Sequence, residues 1–298
     1  WAYDWANSYE RVATFDHDHH LLTTDLPHGL YGFRTGQRFY FLNVLEELDT
    51  PGEYWVDTKR GLAYYWPLTA LGDGELLGSL LESPMITMTQ VAHLQLSGLT
   101  MEATRGDGIV VSEGDAVEIL GCTLRSIGGN GVTLNEGMNH RIADCDMTQL
   151  GDNAISLVGG CRTTLTPCNF TVHNNHLWQF GRWSRTYVCG VLMRTVGARI
   201  TNNLIHDAPH TGILYQGNEN LIAGNELHSL TLETGDCGSI YTGRDYTARG
   251  NLLRGNYIHH SGGLGMGSMG IYWDETFIDF STPDKSFIKY SAANKYLI

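Results

Sequence analysis

The feature that most constrains the fold is a strand pattern that recurs from residue 99 onward. Each copy has glycine or alanine followed by apolar residues at alternate positions, and the copies start at Gly108, Gly131, Ala154, Gly190, Gly212, Gly238 and Gly270. A second ladder precedes the first at matching phase, at Leu99, Cys122, Cys145, Asn175, Asn203, Asn225 and Asn256. The shortest spacing, about 22 residues, is what one turn of a three-sided parallel β-solenoid uses. The pattern therefore predicts an all-β chain that forms a right-handed parallel β-helix.

The same repeats predict which side chains face the core. The residue after the glycine and the one two positions later should point inward, as at Ile213 and Tyr215, because side chains alternate along a strand. Asparagine in the second ladder suits a tight corner, where its amide can bond to the identical amide one turn above. Cys122 and Cys145 share that slot and are predicted to be buried fillers rather than a disulfide. The six cysteines contain no C-x-x-C pair, which leaves structural thiols or one or two disulfides.

The limits of the repeat divide the chain into three segments. Residues 1–90 lack it, and the alternation in 54–67 around a turn at 59–61 predicts a small antiparallel β module. Residues 91–277 form the predicted β-helix, and residues 278–298 are expected to be an irregular tail. The sequence starts without an initiator methionine and ends soon after an apparent turn of the coil, so we expect a piece of a longer parent.

Three extended turns lie on one edge of the predicted coil. The two ladders are usually nine residues apart, but the interval grows to fifteen before Gly190, thirteen before Gly238 and fourteen before Gly270. A solenoid turn needs no extra residues to stack on its neighbours, so insertions are where function is expected. These turns gather aromatic residues, acids and histidines, although long turns could also serve only to cover the edge of the coil.

The overall charge limits the partners. The formal net charge is −13, which argues against binding nucleic acid or another polyanion over the general surface. A neutral substrate such as a polysaccharide or oligosaccharide fits better. No stretch of 18 apolar residues occurs, so no membrane span is expected.

Outward positions of successive turns form a predicted polar wall. Its members are Arg194, Gln216, Thr242 and Asp274, four residues after their glycines, and His210 and Asp236, two residues before theirs. Glycoside hydrolysis needs such acids, because one carboxyl group protonates the leaving oxygen while the other attacks the sugar or activates water. Asp236 and Asp274 are the predicted catalytic pair. Straight strands would hold them about 20 Å apart, so the pair requires the turn before Gly238 to fold Asp236 back.

Residues 233–245 form the segment richest in reactive side chains. It offers Asp245 as the catalytic partner of Asp274 if the turn does not fold back, and it adds Tyr241 and Arg244 as substrate-binding residues. The other predicted substrate-binding residues are Arg194, His210, Gln216 and Glu275. The structural alternative is that Asp245 caps a turn and pairs with Arg244 or Arg249, and that Glu275 is a solvated surface acid.

The run Asp16–His20 alternates acids and histidines in the manner of a zinc or calcium site. It lacks supporting partners on a defined element, and a solvated loop is the preferred interpretation. Neither a metal nor a cofactor is predicted.

Several segments resemble a known enzyme family. They are 45–57, 61–67, 206–213, 235–245 and 270–274. They resemble the right-handed parallel β-helix enzymes around glycoside hydrolase family 141, and the resemblance covers most of the chain, from about residue 1 to residue 277. It implies a β-helix with a small β domain near its start, activity on plant cell-wall glycans such as xylan or fucosylated pectin, and catalysis by carboxylates that correspond to Asp236 and Asp274. It also implies an extracellular or periplasmic location and a role in polysaccharide degradation.

Two other functions remain open. A polysaccharide lyase on the same fold would need a cation to neutralise a uronate and a strong base, and the wall has Arg194, Arg244 and His210 but no lysine. A non-catalytic glycan-binding β-helix would need aromatic stacking sites but no acid pair.

Overall fold

The computed structural model describes residues 1–72, 74 and 76–274, together with the backbone of 295–297. It divides the chain into two compact units. The first contains Trp1–Ala2 and Glu10–Gly78, and the second contains Tyr3–Tyr9 and the chain from Ser79 onward.

The first unit contains two small antiparallel sheets. Strands β1 (Val12–Asp16) and β2 (Leu21–Thr24) form one, and β3 (Tyr54–Asp57) and β4 (Leu62–Tyr65) form the other, with a short 3-10 helix at Leu45–Glu47 between them in sequence. The antiparallel hairpin predicted within 54–67 is therefore confirmed.

The tight turns of both hairpins are stabilised by an aspartate, because a carboxylate oxygen accepts backbone N–H groups two and three residues ahead. Asp57 does so for the second hairpin, and Asp16 does so in the exposed acid and histidine run.

The second unit is a coil of parallel strands in three long sheets. The first sheet contains β5 (Ile86–Thr89), β8 (Ile109–Ser112), β11 (Val132–Asn135), β14 (Ile155–Gly159), β17 (Val191–Val196), β20 (Ile213–Asn218), β23 (Cys237–Gly243) and β26 (Ser268–Asp274). The second contains β6 (Gln95–Ser97), β9 (Glu118–Leu120), β12 (Arg141–Ala143), β15 (Thr171–His173), β18 (Arg199–Thr201), β21 (Leu221–Ala223) and β24 (Leu252–Arg254). The third contains β7 (Thr100–Thr104), β10 (Thr123–Ile127), β13 (Asp146–Leu150), β16 (His176–Trp178), β19 (Leu204–His206), β22 (Glu226–His228) and β25 (Tyr257–His259).

Each turn of the coil contributes one strand to each sheet in the order first, second, third. The predicted all-β fold with a parallel coil and small antiparallel sheets is thus confirmed. At the end of the third sheet, β27 (Lys295–Leu297) pairs antiparallel with β25. The rest of the predicted irregular tail lies outside the described residues. Among the described residues, no helix has the length and apolar character needed to cross a membrane.

The column of small residues before the strands of the first sheet has a steric cause. A Cβ atom added to Gly131 would lie 2.6 Å from the carbonyl oxygen of Ala154 on the next turn, so larger side chains are excluded there. The column follows the prediction up to Gly212 and then changes register. Gly212 donates its N–H to the carbonyl oxygen of Ser239 at 2.9 Å, and Ile213 lies opposite Ile240. Ser239, not Gly238, therefore occupies the predicted slot.

The core side chains follow from this register. Ile213 is 0% exposed and Tyr215 is 1% exposed, as predicted for the inward positions of β20. One turn later the shift by one residue points Ile240 and Thr242 inward, and both are fully buried. Thr242 is thus wrongly placed on the predicted outward wall, and Gly243 lies there instead.

An asparagine ladder runs through the buried corner between the second and third sheets. Each amide donates to the amide oxygen one turn above at 2.9 Å, through Asn175, Asn203, Asn225 and Asn256. The predicted amide ladder is therefore confirmed. A left-handed backbone conformation occurs at the residue before each asparagine, for example at Asn202 with φ 57°. The ladder asparagines satisfy buried backbone groups, since Asn203 also receives the N–H of Asn175.

The six cysteines are free thiols, and all but Cys161 are buried. Cys122 and Cys145 continue the asparagine column as predicted, with the N–H of Cys122 pointing at the sulfur of Cys145 at 3.4 Å. They fill the corner without forming a disulfide.

Candidate active site

Two neighbouring rows of outward side chains lie on the last four strands of the first sheet, β17, β20, β23 and β26. The parallel register places Leu192, Leu214, Tyr241 and Tyr272 in one row. The neighbouring row contains Arg194, Gln216, Gly243 and Asp274, since Arg194 lies opposite Gln216 and Gly243 lies opposite Asp274. Because side chains alternate along each strand, both rows project from the same face.

A pocket of about 200 Å³ lies over these rows. It is lined by Tyr187, Leu192, Arg194, Leu214, Gln216, Tyr241, Gly243 and Arg244. The guanidinium of Arg194 donates to the amide oxygen of Gln216 at 3.2 Å. Four predicted substrate-binding residues, Arg194, Gln216, Tyr241 and Arg244, are therefore brought together. Their donors and acceptors suit the hydroxyl groups of a small polar ligand.

The hydroxyl of Tyr272 joins the two predicted catalytic acids. It lies 2.9 Å from Asp236 Oδ1 and 3.4 Å from Asp274 Oδ1. Asp236 adopts a left-handed backbone conformation with φ 53° just before β23, and its N–H donates to Gly267 at 2.8 Å. Asp274 ends β26. A tyrosine carries one hydroxyl proton, so it can donate to only one of the two carboxylates at a time.

Asp274 also contacts the lining of the pocket. The hydroxyl of Tyr241 donates to Asp274 Oδ2 at 2.7 Å, and Arg244 Nε lies 3.4 Å from the same oxygen. The side chain of Asp274 is 15% exposed, whereas that of Arg244 is 67% exposed. Burial and the adjoining Asp274 carboxylate raise the pKa of Tyr241, and burial and the Asp236 carboxylate raise the pKa of Tyr272. Both phenols therefore remain protonated donors at neutral pH.

Sequence reasoning missed Tyr187, Leu192, Leu214 and Tyr272. Three of them lie two residues before the predicted wall positions Arg194, Gln216 and Asp274, so the period-two alternation that placed the wall could have identified them. Tyr187 comes from the extended turn before Gly190, where nothing in the sequence fixes side-chain direction. It is 49% exposed at the pocket and packs edge-on against His210, with the ring centroids 5.5 Å apart.

Besides Asp236 and Asp274, two more of the predicted site residues are not part of the pocket lining, His210 and Asp245. His210 is 3% exposed and does not face the wall; its Nδ1 lies 3.0 Å from Thr234 Oγ1, and burial lowers its pKa to about 4. Asp245 accepts hydrogen bonds from Thr247 within its own turn and pairs with Arg162 at 2.8 Å. Burial raises the pKa of Asp245, but the bonds from Arg162 and Thr247 outweigh it, so the pKa lies below its usual value. Asp245 caps a turn as the structural alternative expected, with Arg162 as its partner. Glu275 lies outside the described residues.

Comparisons with known proteins agree with this fold. A family model described as the right handed beta helix region matches residues 85–184. The chain is similar to a solved structure titled "Glycoside hydrolase", with a TM-score of 0.58 and 14% sequence identity over 78% of this chain and 57% of that one. The chain thus spans little more than half the length of that structure. No curated protein matches the sequence. At this identity the likeness establishes the fold, a right-handed parallel β-helix.

Proposed function

We propose that the protein is a glycosidase that hydrolyses a plant cell-wall polysaccharide, with Asp236 and Asp274 as the reacting carboxyl groups. One observation carries the proposal: both carboxyl groups contact the hydroxyl of Tyr272, and Asp274 also contacts two residues of the pocket lining. Paired carboxyl groups beside a polar pocket are what glycoside hydrolysis requires. The resemblance to family 141 at these segments supports xylan or a fucosylated pectic glycan as the substrate, and a location outside the cell or in the periplasm.

The surroundings of the two acids support different roles. Asp274 receives the Tyr241 hydroxyl and faces the Arg244 guanidinium, which suits the carboxylate that attacks the anomeric carbon. Asp236 makes its side-chain contact with the single hydroxyl of Tyr272, which suits the group that gives a proton to the leaving oxygen and later takes one from water. Tyr187 offers an exposed ring on which a sugar can stack, while Arg194 and Gln216 can bind its hydroxyl groups.

The spacing of the acids supports retention of configuration. Since both reach one hydroxyl, their Oδ1 atoms can be no farther apart than 2.9 and 3.4 Å taken together. That limit concerns the two nearer oxygens, and it admits the separation of about 5 to 5.5 Å between carboxyl groups in retaining enzymes. The proposal therefore includes a covalent glycosyl-enzyme intermediate and a product that keeps the anomeric configuration, which proton NMR of the first product can test.

The deciding experiment measures release of reducing sugar from arabinoxylan, rhamnogalacturonan and fucosylated oligosaccharides. On a substrate that the unmodified protein cleaves, Asp236→Asn and Asp274→Asn should each lower kcat at least about a hundredfold. Asp144→Asn, on an exposed corner of the coil, is the control for folding and charge, and circular dichroism checks each variant. Wild-type rates in Asp236→Asn together with a large loss in Asp245→Asn would move the partner role to Asp245. Binding of glycan without any turnover would favour a non-catalytic module.

A polysaccharide lyase is the second candidate, because two arginines line the pocket and could neutralise a uronate carboxylate. A lyase also needs a base that removes a carbon-bound proton. The raised pKa of Tyr241, caused by burial and by Asp274, makes this phenol a poor base and weighs against that role. Ultraviolet absorbance from a new C=C bond in the products would decide for the lyase.

A further inference from the structure

A row of rings follows the outer face of the third sheet, which does not contribute to the candidate pocket. The parallel register places Trp178, His206, His228 and His259 side by side on successive strands. The rings of His206 and His228 stack with centroids 4.6 Å apart and planes 7° apart, and those of His228 and His259 stack at 4.9 Å and 19°. We call His206, His228 and His259 the histidine ladder.

Asp207 completes a set of ligand atoms at the centre of the ladder. Its Oδ2 lies 2.9 Å from Nδ1 of His206. One ligand atom from each of His206, Asp207 and His228 can be chosen so that all three lie within 4.8 Å of one another. The side chain of His206 is 14% exposed and that of Asp207 is 50% exposed. The group is therefore partly buried and remains open to solvent on the side of Asp207.

The neighbouring contacts orient the rings. His206 Nε2 lies 2.7 Å from Nε2 of His176, which leaves Nδ1 of His206 facing Asp207. His228 Nδ1 lies 3.1 Å from the hydroxyl of Ser229. His259 Nε2 is engaged by Glu226 at 3.2 Å. Ring nitrogens held in this way by outer partners are typical of metal-ligating histidines.

We propose that His206, Asp207 and His228 bind a divalent transition-metal ion of the Zn²⁺ and Cu²⁺ class. Two imidazoles and a carboxylate are ligands that these ions prefer, whereas Mg²⁺ and Ca²⁺ prefer oxygen alone. With metal bonds of about 2.1 Å, a nitrogen and an oxygen 2.9 Å apart subtend an angle of about 90°. The ring of His228 is stacked on that of His206, so the His228 side chain must turn to direct a nitrogen at the ion, and water fills the open side.

The site would link two turns of the coil. His206 and His228 lie directly opposite each other on β19 and β22, so one ion would join two strands that are separated in sequence by β20 and β21. An ion that binds the folded coil and not the unfolded chain stabilises the coil by mass action. Binding should therefore raise Tm as well as give a direct signal.

The test uses the full chain without an affinity tag, stripped of metal by chelator and dialysis. Titration with Zn²⁺ or Cu²⁺ alone, followed by calorimetry, should show one ion per chain and a higher Tm. The electron paramagnetic resonance spectrum of the Cu²⁺ form should show nitrogen ligation. His228→Gln should remove one nitrogen from that spectrum and weaken binding at least tenfold.

Asp207→Asn is the variant least able to disturb folding, because Asp207 has φ 52° and asparagine tolerates this conformation. It should also weaken binding at least tenfold. The matched control is His19→Gln in the exposed run of the first unit, where His19 pairs with Asp16 at 2.8 Å; it should leave stoichiometry and affinity unchanged. Absence of binding by either ion, unchanged affinity in Asp207→Asn, or loss of the ion in His19→Gln would each overturn the proposal.

Discussion

The hydroxyl of Tyr272 lies 2.9 Å from Asp236 Oδ1, although the two residues are 36 positions apart in the sequence. The link depends on the left-handed turn at Asp236, which precedes β23, and on the length of a tyrosine side chain that projects from β26. The same hydroxyl contacts Asp274. A phenol that stays protonated is thus the structural connection between the two acids.

Removal of that hydroxyl should impair turnover more than binding. Tyr272→Phe keeps the ring but deletes a hydrogen bond to a carboxylate, an interaction of about 1.5–3 kcal/mol, so kcat should fall about 10- to 100-fold with KM within about threefold. Steady-state kinetics on a cleaved substrate provide the measurement. Tyr246→Phe, at a residue that is 70% exposed, is the control and should match the parent. An unchanged kcat in Tyr272→Phe would show that the bridge has no part in the reaction.

The thiols should differ sharply in reactivity. Burial raises the pKa of Cys145 to about 12 and that of Cys237 to about 11, whereas hydrogen bonds from Thr164 and Thr163 lower the pKa of exposed Cys161. The thiolate is the reactive form. Native protein should therefore take up one equivalent of iodoacetamide at pH 7.5, detected by intact mass, and Cys161→Ser should take up none.

Denatured protein should take up six equivalents, because all the cysteines are free. Fewer than six without reductant would reveal a disulfide and contradict the thiol assignment.

The repeat made most of the coil predictable from sequence. Period-two alternation predicts the inward residues of the first-sheet strands from β8 to β20, and the asparagine column predicts the corner, because similar residues stack at each turn. The prediction failed at Gly238, where Gly and Ser are both small enough for the column and the extended turn before β23 hides the shift of one residue. That single shift moved Thr242 from the wall into the core.

The site was less predictable than the coil. Arg194 and Gln216 lie on regular strands and follow from the two-residue period, whereas His210 lies in a turn, where that period does not hold, and it is buried. The pairing of Asp245 with Arg162 joins residues far apart in the sequence, for which no periodic signal exists. Side chains in turns are positioned by tertiary contacts, so local patterns cannot place them.

Adjacent valines on β8 test the inward register directly. Val111 is 0% exposed and Val110 points outward and is half-buried. Val111→Asp should lower the free energy of unfolding by several kcal/mol because it buries an unpaired charge. Val110→Asp, with the same change in chemistry, should lower it by less than about 1 kcal/mol. Urea unfolding followed by circular dichroism gives both values, and equal losses would mean that the register is wrong.

Buried His210 should make the stability of the coil depend on pH below neutrality. Burial lowers the pKa of His210 to about 4, whereas an unfolded histidine has a pKa of about 6.5. The folded state therefore prefers the neutral ring, and its stabilising contribution is complete above pH 6.5 and is lost as the pH falls toward 4. The full loss amounts to about 3 kcal/mol.

Acidic side chains also titrate in this range, so the informative quantity is a difference between two proteins. His210→Asn keeps a polar group facing Thr234 but cannot titrate. The free energy of unfolding, measured in urea at pH 7.5, 6.0, 5.0 and 4.5, should fall less steeply in the variant than in the parent, and the gap between the two curves should narrow as the pH decreases. Parallel curves across the whole range would mean that His210 has the same pKa in the folded and unfolded protein, and would contradict its contribution to acid sensitivity.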